Sequence, residues 1–394
     1  MNWISQVAAV TALNVRTVRQ RLGSSAVAVV GIAGVVIVFI AVLSIGEGFR
    51  KVLIDSAYPD TALVLRAGAD TEMTSGLAGD EAKVAAEGAG VRQGSSGPLA
   101  SPELLVIADV RKRSTGTEAN VPFRGVLPQA FEARPELSIV EGRRFEPGRN
   151  EIIVGRAATR EFELPPGSSV RWGENTWTIV GVFEADGAAA ESEIWTDARV
   201  LQSAYRRGNS YQSVRAKLES VDAFDKFKDA LTTDPRLKVT VVRETDYYAE
   251  QSTVLHTIIR TIGYGIAVLM GIGAVFGAIN TMYSAVATRT REIATLRALG
   301  FGASAVMISV LAEAIVLSLI GGVLGGALAY LAFDGFTTAT MNFQSFSQVA
   351  FAFAVTPALL AQGIASATVM GFLGGLFPAI RAARLPIVTA LREL

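Results

Sequence analysis

The sequence predicts a membrane protein with four transmembrane helices in a 1+3 arrangement and one large mixed α/β domain between the first two helices. Three observations predict it: four long runs almost free of charge, a mean hydropathy of +0.38 with half of the residues hydrophobic, and segregated charge. Segment 47–256 holds 32 of the 36 acidic and 26 of the 36 basic residues, so it carries −6 and the remainder +6. Basic residues do not cluster on the soluble part, which argues against a nucleic-acid partner.

The charge-poor runs define the four spans. They are predicted at 26–46, 257–287, 303–334 and 355–380. At about 1.5 Å per residue, each run is long enough to cross a hydrocarbon core of about 30 Å. Mostly polar or amphipathic residues precede span one, so we expect an uncleaved anchor rather than a signal peptide. Thr356 and Pro357 are predicted to cap span four, and Pro378 to kink or end it.

Arginine predicts the orientation of the spans. Nine arginines flank the spans on one side if the four spans alternate, whereas the short loop 335–354 has none. The nine are Arg16, Arg19, Arg21, Arg289, Arg291, Arg297, Arg381, Arg384 and Arg392. The positive-inside rule therefore places the amphipathic N-terminal helix 1–25, the loop 288–302 and the C-terminus 381–394 in the cytoplasm. Segments 47–256 and 335–354 are then extracytoplasmic.

Segment 47–256 has the pattern of a mixed α/β domain. Strands are predicted from Ala62, Glu103, Asn150 and Thr176, where β-rich runs such as ELLVIADV begin. Near the end of the segment, YQSVRAKL, a helical pattern over 221–231 and RLKVTVVRE predict a strand-helix-strand unit. Residues Gly68 to Gly97 are rich in Gly, Ala and Ser, and we expect a loop or mobile insertion there. Because the segment lies between spans one and two, those helices are predicted to carry it as a stalk.

The residue inventory leaves few routes to catalysis. The chain has no cysteine and one histidine, so neither an HExxH zinc site nor a Cys-His pair can be assembled from it. His256, at the end of the α/β segment, is expected to be an interfacial histidine rather than part of a Ser-His dyad. Gly never precedes Lys, so the Walker A pattern is missing. We predict no catalytic and no metal-binding residue.

The spans carry two features of their own. Small-xxx-small spacings let helix backbones approach closely in lipid, and here they predict helix packing. They are Gly321/Gly325, Gly322/Gly326 and Gly371/Gly375. Glu313 is the one ionisable residue deep in a span, where a charge costs about 2.5–3.5 kcal/mol on insertion scales. We expect it to face a partner or the bundle interior, and favour a structural or coupling role over a proton or substrate role.

The loop between spans two and three has the most specific sequence motif in the chain. It reads TRTREIATLRALGFG over 288–302, with apolar residues at spacings of three among arginines, and predicts a short amphipathic helix ended by Gly300. Together with the acidic residue in LAEAIVLSLIGGVLGG, with SIGEG at Ser44 to Gly48 closing span one and with IRAARLPIVTALREL at the end, it resembles the permease domain of the MacB/FtsX-like ABC transporter superfamily. The resemblance covers all four spans.

This resemblance implies that 288–302 is a coupling helix that docks on an ABC ATPase. The candidates for this site are Arg289, Arg291, Glu292, Ile293, Leu296, Arg297, Leu299 and Gly300, with Ile293 and Leu299 buried in the ATPase or facing lipid. The first 25 residues have no room for a fused ATPase, so the ATPase, with its ATP and Mg, is expected on another chain. The family also implies a dimer with a second permease copy or paralogue, and ATP-driven movement transmitted to the outer domain.

Three functions fit the resemblance. The first is export or extraction of a substrate, with a periplasmic adaptor (membrane fusion protein) and an outer-membrane channel where the cell has two membranes. The second is an FtsX-like regulatory permease that activates a cell-wall hydrolase, and the third is lipoprotein release of the LolC/LolE type. An unrelated membrane enzyme ranks last.

Overall fold

The chain forms two compact units in the computed structural model, which describes residues 6–7, 22–95, 97–342 and 347–387. The helical unit comprises Met1–Glu47, Thr257–Phe336 and Phe353–Leu394. The α/β unit comprises Gly48–His256 and Thr337–Ala352. The chain therefore passes between the units four times.

Among the described residues, four helices are long and apolar enough to cross a membrane, which confirms the predicted number of spans. They are α1 (Leu22–Asp55), α7 (Glu244–Thr288), α9 (Ala303–Phe333) and α10 (Pro357–Ala383), with the short helix α8 (Thr290–Ala298) after span two. The last residues of α1, from Gly48, and the first residues of α7, to His256, belong to the α/β unit.

Span four has the predicted start but not an end at its proline. The Thr356 hydroxyl accepts a hydrogen bond from the N–H of Leu359 at 3.3 Å, and Pro357 is the first helical residue. The helix continues through Pro378 to Ala383, so the proline does not end it. The predicted N-terminal helix 1–25 and the last residues, 388–394, lie almost wholly outside the described residues.

A ten-stranded mixed sheet forms the centre of the α/β unit, with strand order β14-β1-β13-β5-β6-β11-β8-β10-β7 and β9 paired to β10. The β6–β11 and β8–β10 pairs are parallel and the others antiparallel. The strands are β1 (Thr61–Arg66), β5 (Ala100–Arg111), β6 (Glu118–Val126), β7 (Ser138–Gly142), β8 (Glu151–Gly155), β9 (Ser169–Trp172), β10 (Asn175–Glu184), β11 (Ile194–Asp197), β13 (Ser213–Lys217) and β14 (Val239–Arg243). All the predicted strands are present, and β13, α6 (Ala223–Thr232) and β14 form the predicted strand-helix-strand unit.

Helices and short elements cover this sheet and complete its cores. They are β2 (Leu77–Ala78), α2 (Gly79–Ala86), β3 (Gln93–Gly94), β4 (Gly97–Pro98), α3 (Gln129–Glu132), α4 (Arg156–Glu161), α5 (Ala198–Ala204) and β12 (Ser210–Tyr211), with 3-10 turns at Glu72–Thr74 and Ala189–Ser192. One core lies around β1 and β13, where α6 contributes Phe224, Phe227 and Leu231 at helical spacing. A second core lies around β6 and β10, with Phe123 against Trp177 at 5.0 Å between ring centroids.

The expectation of a loop or mobile insertion over 68–97 is wrong. This stretch contains the 3-10 turn, β2, α2, β3 and β4, apart from residue 96, which lies outside the described residues. Leu77, Ala82 and Ala85 are 1% exposed or less within the first core. The small residues that suggested a loop are the ones that allow α2 to pack closely against the sheet.

The loop between spans three and four is a β-hairpin. Strands β15 (Thr337–Asn342) and β16 (Ser347–Ala352) pair in antiparallel register within the α/β unit, and 343–346 lie outside the described residues. Val349 and Phe351 of β16 are 5% and 3% exposed. The short loop is therefore a packed part of the α/β unit.

Candidate functional site: the short helix between spans two and three

Helix α8 begins with a buried ion pair. Arg289 is its N-cap, one residue beyond the end of span two, and its Nη1 donates to Glu313 Oε2 of span three at 2.7 Å. The two residues are 3% and 4% exposed. Their opposite charges offset much of the cost of removing each from water. Arg289 was predicted to contact an ATPase; within this chain its guanidinium is buried against span three, and the ATPase contact stays a prediction.

Arg297 fixes the other end of α8 to span four. Its Nη1 donates to the carbonyl oxygens of Ala383 at 2.8 Å and Leu385 at 3.2 Å. Ala383 ends span four, where the last carbonyls have no partner within the helix and carry the negative end of the helix dipole. A guanidinium satisfies both needs, so Arg297 also turns toward its own chain.

Gly300 ends the helix as predicted. The N–H of Gly300 bonds the carbonyl of Arg297, and the N–H of Phe301 bonds that of Leu296, each at 3.1 Å. This Schellman arrangement requires one residue in the left-handed region, which Gly300 supplies with φ of +97°.

The remaining side chains of α8 divide between an inner and an outer face. Ile293, predicted to be buried in an ATPase or to face lipid, is 6% exposed and packs in a cluster with Val286 and Val306 of its own bundle. Leu299 is 73% exposed, and Arg291 and Glu292 are also exposed. Leu296 is half-buried between the two faces.

The glycine pairs lie where span three meets its neighbours. A Cβ on Gly321 or Gly325 would lie 2.8 or 2.7 Å from carbonyl oxygens of α1, and one on Gly322 would lie 2.8 Å from Ala367 of α10. Gly326 faces Leu360 of α10 at 3.4 Å. On span four, Gly371 and Gly375 approach Ser318 and Ala314 of span three. Span three is therefore close-packed against α1 on one side and α10 on the other.

The sequence reasoning missed a buried charge network in the α/β unit. The Arg124 guanidinium donates to Glu72 at 2.9 and 3.1 Å, to Glu193 at 2.8 and 2.9 Å, and to Glu103 at 2.9 Å. Glu103 also accepts two bonds from Arg134 at 2.7 and 3.0 Å. All five are less than 10% exposed. The signal was present as single charges inside apolar strands, such as the Arg124 of VPFRGV.

The neighbouring charges of this network shift the pKa of the Glu103 carboxyl. Burial raises the pKa of the Glu103 carboxyl, but the guanidinium groups of Arg134 and Arg124 outweigh that effect and lower it to about 2. Glu103 therefore stays ionised across the physiological range.

A second buried pair holds two of the four chain ends of the α/β unit. Glu244, the first residue of α7, accepts hydrogen bonds from Arg215 of β13 at 2.6 and 3.0 Å. The same carboxylate accepts the backbone N–H of Tyr58, three residues after α1 ends, at 3.0 Å. One side chain thus joins the chain entering the unit, the chain leaving it and a central strand.

Among the described residues, no group of three or more His, Cys, Asp or Glu side chains is arranged to hold a metal ion. The acidic side chains around Arg124 instead form ion pairs with a guanidinium group.

Comparison with known families defines the class of protein. Residues 25–234 match the family of the MacB-like periplasmic core domain, and residues 264–387 match the FtsX-like permease C-terminal family. The chain belongs to the MacB/FtsX-like ABC permease superfamily. It is accordingly a bacterial inner-membrane protein with an extracytoplasmic α/β domain.

Its relatives include named export proteins. It is 25% identical over 384 residues to a macrolide export ATP-binding/permease protein MacB of Paracoccus denitrificans, covering 93% of this chain and 55% of that protein. It is 27% identical over 297 residues to a MacB of Bdellovibrio bacteriovorus, covering 69% of this chain and 44% of that one. The chain thus spans about half the length of the curated relatives it matches.

Two solved structures, one of a periplasmic region and one of an extracellular domain, are similar to part of this chain. The periplasmic region of MacB from Actinobacillus actinomycetemcomitans matches at 12% identity and a TM-score of 0.37, covering 52% of this chain and 95% of that one. The extracellular domain of the transporter YknZ matches at 18% identity and a TM-score of 0.35, covering 46% of this chain and 99% of that one.

Proposed function

We propose that this chain is a permease subunit that couples ATP hydrolysis by a separate ABC ATPase to movements of its extracytoplasmic α/β domain, for export or extraction of a substrate. The observation that carries the proposal is the exposed face of α8 beside a buried face fixed to two spans. A helix held in this way can receive a partner's movement without being pulled from its bundle.

The docking face comprises the exposed side chains of α8. Leu299 offers an apolar contact at 73% exposure, and Arg291 and Glu292 offer charged contacts beside it. Central apolar anchors with charged neighbours are the usual arrangement of specific protein interfaces. The sequence contains no Walker A pattern, so ATP and Mg are assigned to the partner.

The orientation in this proposal follows the positive-inside rule. Arg289, Arg291 and Arg297 lie around α8, and Arg381 and Arg384 lie at the end of span four. The rule places these regions, with both termini, in the cytoplasm, where an ATPase is available. Spans one and two also contribute residues to the α/β unit, so movement of these helices reaches that unit directly.

The assembled machine in this proposal contains two permease chains, identical or paralogous, and two ATPase subunits. An adaptor and an outer-membrane channel complete it where the cell has two membranes. The macrolide export named for the relatives makes macrolides the first substrates to test.

Site-specific cross-linking tests the proposal. The chain has no cysteine, so Leu299→Cys introduces a unique thiol on the docking face. In membranes that also contain a co-expressed ABC ATPase, a bis-maleimide linker should join Leu299→Cys to a single-cysteine ATPase. Val268→Cys, 61% exposed on span two, is the matched control and should give no product.

The result separates the proposed functions. Absence of the Leu299 product, together with failure of any ABC ATPase to co-purify, refutes the coupling assignment. If the complex forms and moves no substrate but stimulates a cell-wall hydrolase, the regulatory alternative replaces export.

A further inference from the structure

The short helix α8 is held by spans three and four through side chains at both of its ends. Arg289 at the start pairs with Glu313 of span three at 2.7 Å, and Arg297 near the end binds the carbonyls of Ala383 and Leu385 at the end of span four. Span two, by contrast, connects to α8 through the chain itself, since it ends at Thr288. The helix is therefore attached to each of these three spans.

The attachment to span three is difficult to break. Both charges are buried, at 3% and 4% exposure, and separating them would deprive the buried Glu313 carboxylate of this counter-charge and leave Arg289 with the more distant Glu292 at 3.5 Å. The 2.7 Å contact is a charge-assisted hydrogen bond, which also fixes geometry. A displacement of the start of α8 must therefore carry span three with it.

Spans three and four lead by chain order to one hairpin. Span three ends at Phe333, β15 begins at Thr337, β16 ends at Ala352 and span four begins at Pro357. Only a few residues separate each span from the hairpin, so little slack exists between them.

The hairpin is bound firmly within the α/β unit. Asn342 Nδ2 donates to Gln251 Oε1 at 3.1 Å, and the N–H of Ala350 donates to Ser192 Oγ at 2.9 Å. The Phe351 ring meets Phe49 edge to face, with centroids 5.9 Å apart. These contacts reach the beginning of α7, a 3-10 turn and the last part of α1, so movement of the hairpin is transmitted to several elements of the unit.

We propose that α8 drives the α/β domain by a second path, through spans three and four and the β15–β16 hairpin, and that Arg289, Glu313 and Arg297 are the positioning residues of this path. The inference rests on the proposed function, because it requires an ATPase that moves α8. It assigns to the two arginines of the motif an internal role and leaves docking to Arg291, Glu292 and Leu299.

A fluorescent label on the hairpin tests this path. Met341→Cys, at a position 42% exposed in β15, would carry a bimane group as the sole thiol adduct of the full chain. The labelled chain is assembled with its ATPase in nanodiscs, and the emission change caused by Mg-ATP with vanadate is recorded. The labelled chain that carries Met341→Cys and no other substitution should show a change in bimane emission when Mg-ATP and vanadate are added.

The test variant is the double substitution Arg289→Gln with Glu313→Gln, which removes the ion pair without leaving a buried unpaired charge. It should still capture the ATPase by Leu299→Cys cross-linking and still permit ATP hydrolysis. Its hairpin signal should fall by at least about fivefold, the lower end of ordinary coupling between sites. Arg289→Lys with native Glu313 keeps the charge pair and should retain most of the signal.

The matched control is Arg291→Gln, the same chemical change on the exposed face of the same helix. It should weaken ATPase capture and leave the hairpin signal intact at saturating ATPase. A full hairpin signal in the double variant overturns the second path while the proposed function stands. If the unaltered chain captures no ATPase through Leu299→Cys, the proposed function fails and the second path fails with it.

Discussion

Arg215 and Glu244 form a doubly hydrogen-bonded ion pair, with Nε to Oε1 at 2.6 Å and Nη2 to Oε2 at 3.0 Å, at the first residue of the helix that becomes span two. Both side chains are 4% exposed. Because Glu244 also accepts the N–H of Tyr58, this pair sets the stability of the base of the α/β unit.

Glu244→Gln should therefore destabilise the α/β unit strongly. The substitution leaves the Arg215 charge buried without its counter-charge, at a cost of about 3–5 kcal/mol. Urea unfolding followed by tryptophan fluorescence measures it, since three of the four tryptophans, Trp172, Trp177 and Trp195, lie in this unit. Asp246→Asn, an exposed carboxylate in the same helical turn, should change stability by about 0.5 kcal/mol or less. Equal effects of the two substitutions would contradict the role of the buried pair.

Glu103 should make the α/β unit sensitive to strong acid. Its pKa is lowered from 4.5 to about 2 in the folded chain, so its contribution is fully present above about pH 4.5 and is lost as the pH falls through 2. That shift corresponds to about 3 kcal/mol at neutral pH. Urea unfolding of the native chain and of Glu103→Gln should differ by roughly this amount at pH 6 and converge toward pH 2. A difference that does not depend on pH would refute the linkage.

Gly371→Ala should loosen the packing of spans three and four. Its new methyl group would collide with the Ser318 side chain and lie 3.0 Å from the Ala314 carbonyl oxygen. Overpacking of this kind costs about 1–3 kcal/mol. Thermal unfolding in detergent should show the loss, whereas Gly277→Ala on span two, which has no neighbour within 4 Å of the added Cβ, should be neutral or slightly stabilising. An equal drop in thermal stability for both variants would show that the loss comes from replacing any glycine in a span, and not from the contact of position 371 with Ser318.

Ser192→Ala should free one strand of the hairpin. The Ser192 hydroxyl accepts the N–H of Ala350 at 2.9 Å, and the loss of such a hydrogen bond at a partly buried position costs about 0.5–1.5 kcal/mol. Hydrogen exchange of peptides covering 347–352 should accelerate in this variant. Ser169→Ala, an exposed serine of β9, serves as the control and should leave exchange of 347–352 unchanged. Unaltered exchange in Ser192→Ala would show that other contacts hold β16.

Hydropathy and charge were sufficient to predict the spans and the class of the α/β domain. The apolar runs are so long that their length alone identifies them as membrane helices. Thr356 and Pro357 mark the start of span four through local capping chemistry. Gly300 likewise ends α8 for a local reason, its positive φ.

The contacts that the sequence did not indicate join residues distant in sequence. Arg289 and Arg297 are chemically suited to a partner surface, and nothing local indicates that Glu313 and the Ala383 carbonyl lie beside them. The 68–97 stretch failed for a related reason. Its small residues indicate a loop when considered alone and a close-packed helix only when the facing sheet is known.

The carboxylate of Glu244 holds two chain ends of the α/β unit next to each other, as in domains that can be inserted or exchanged. Since one side chain bonds both the chain that enters and the chain that leaves, the two ends are fixed side by side irrespective of what lies between them. Domains with adjacent termini are the ones that tolerate insertion and exchange. The chain between these two ends is therefore freer to diverge, while these two of the four points of attachment of the unit keep their spacing.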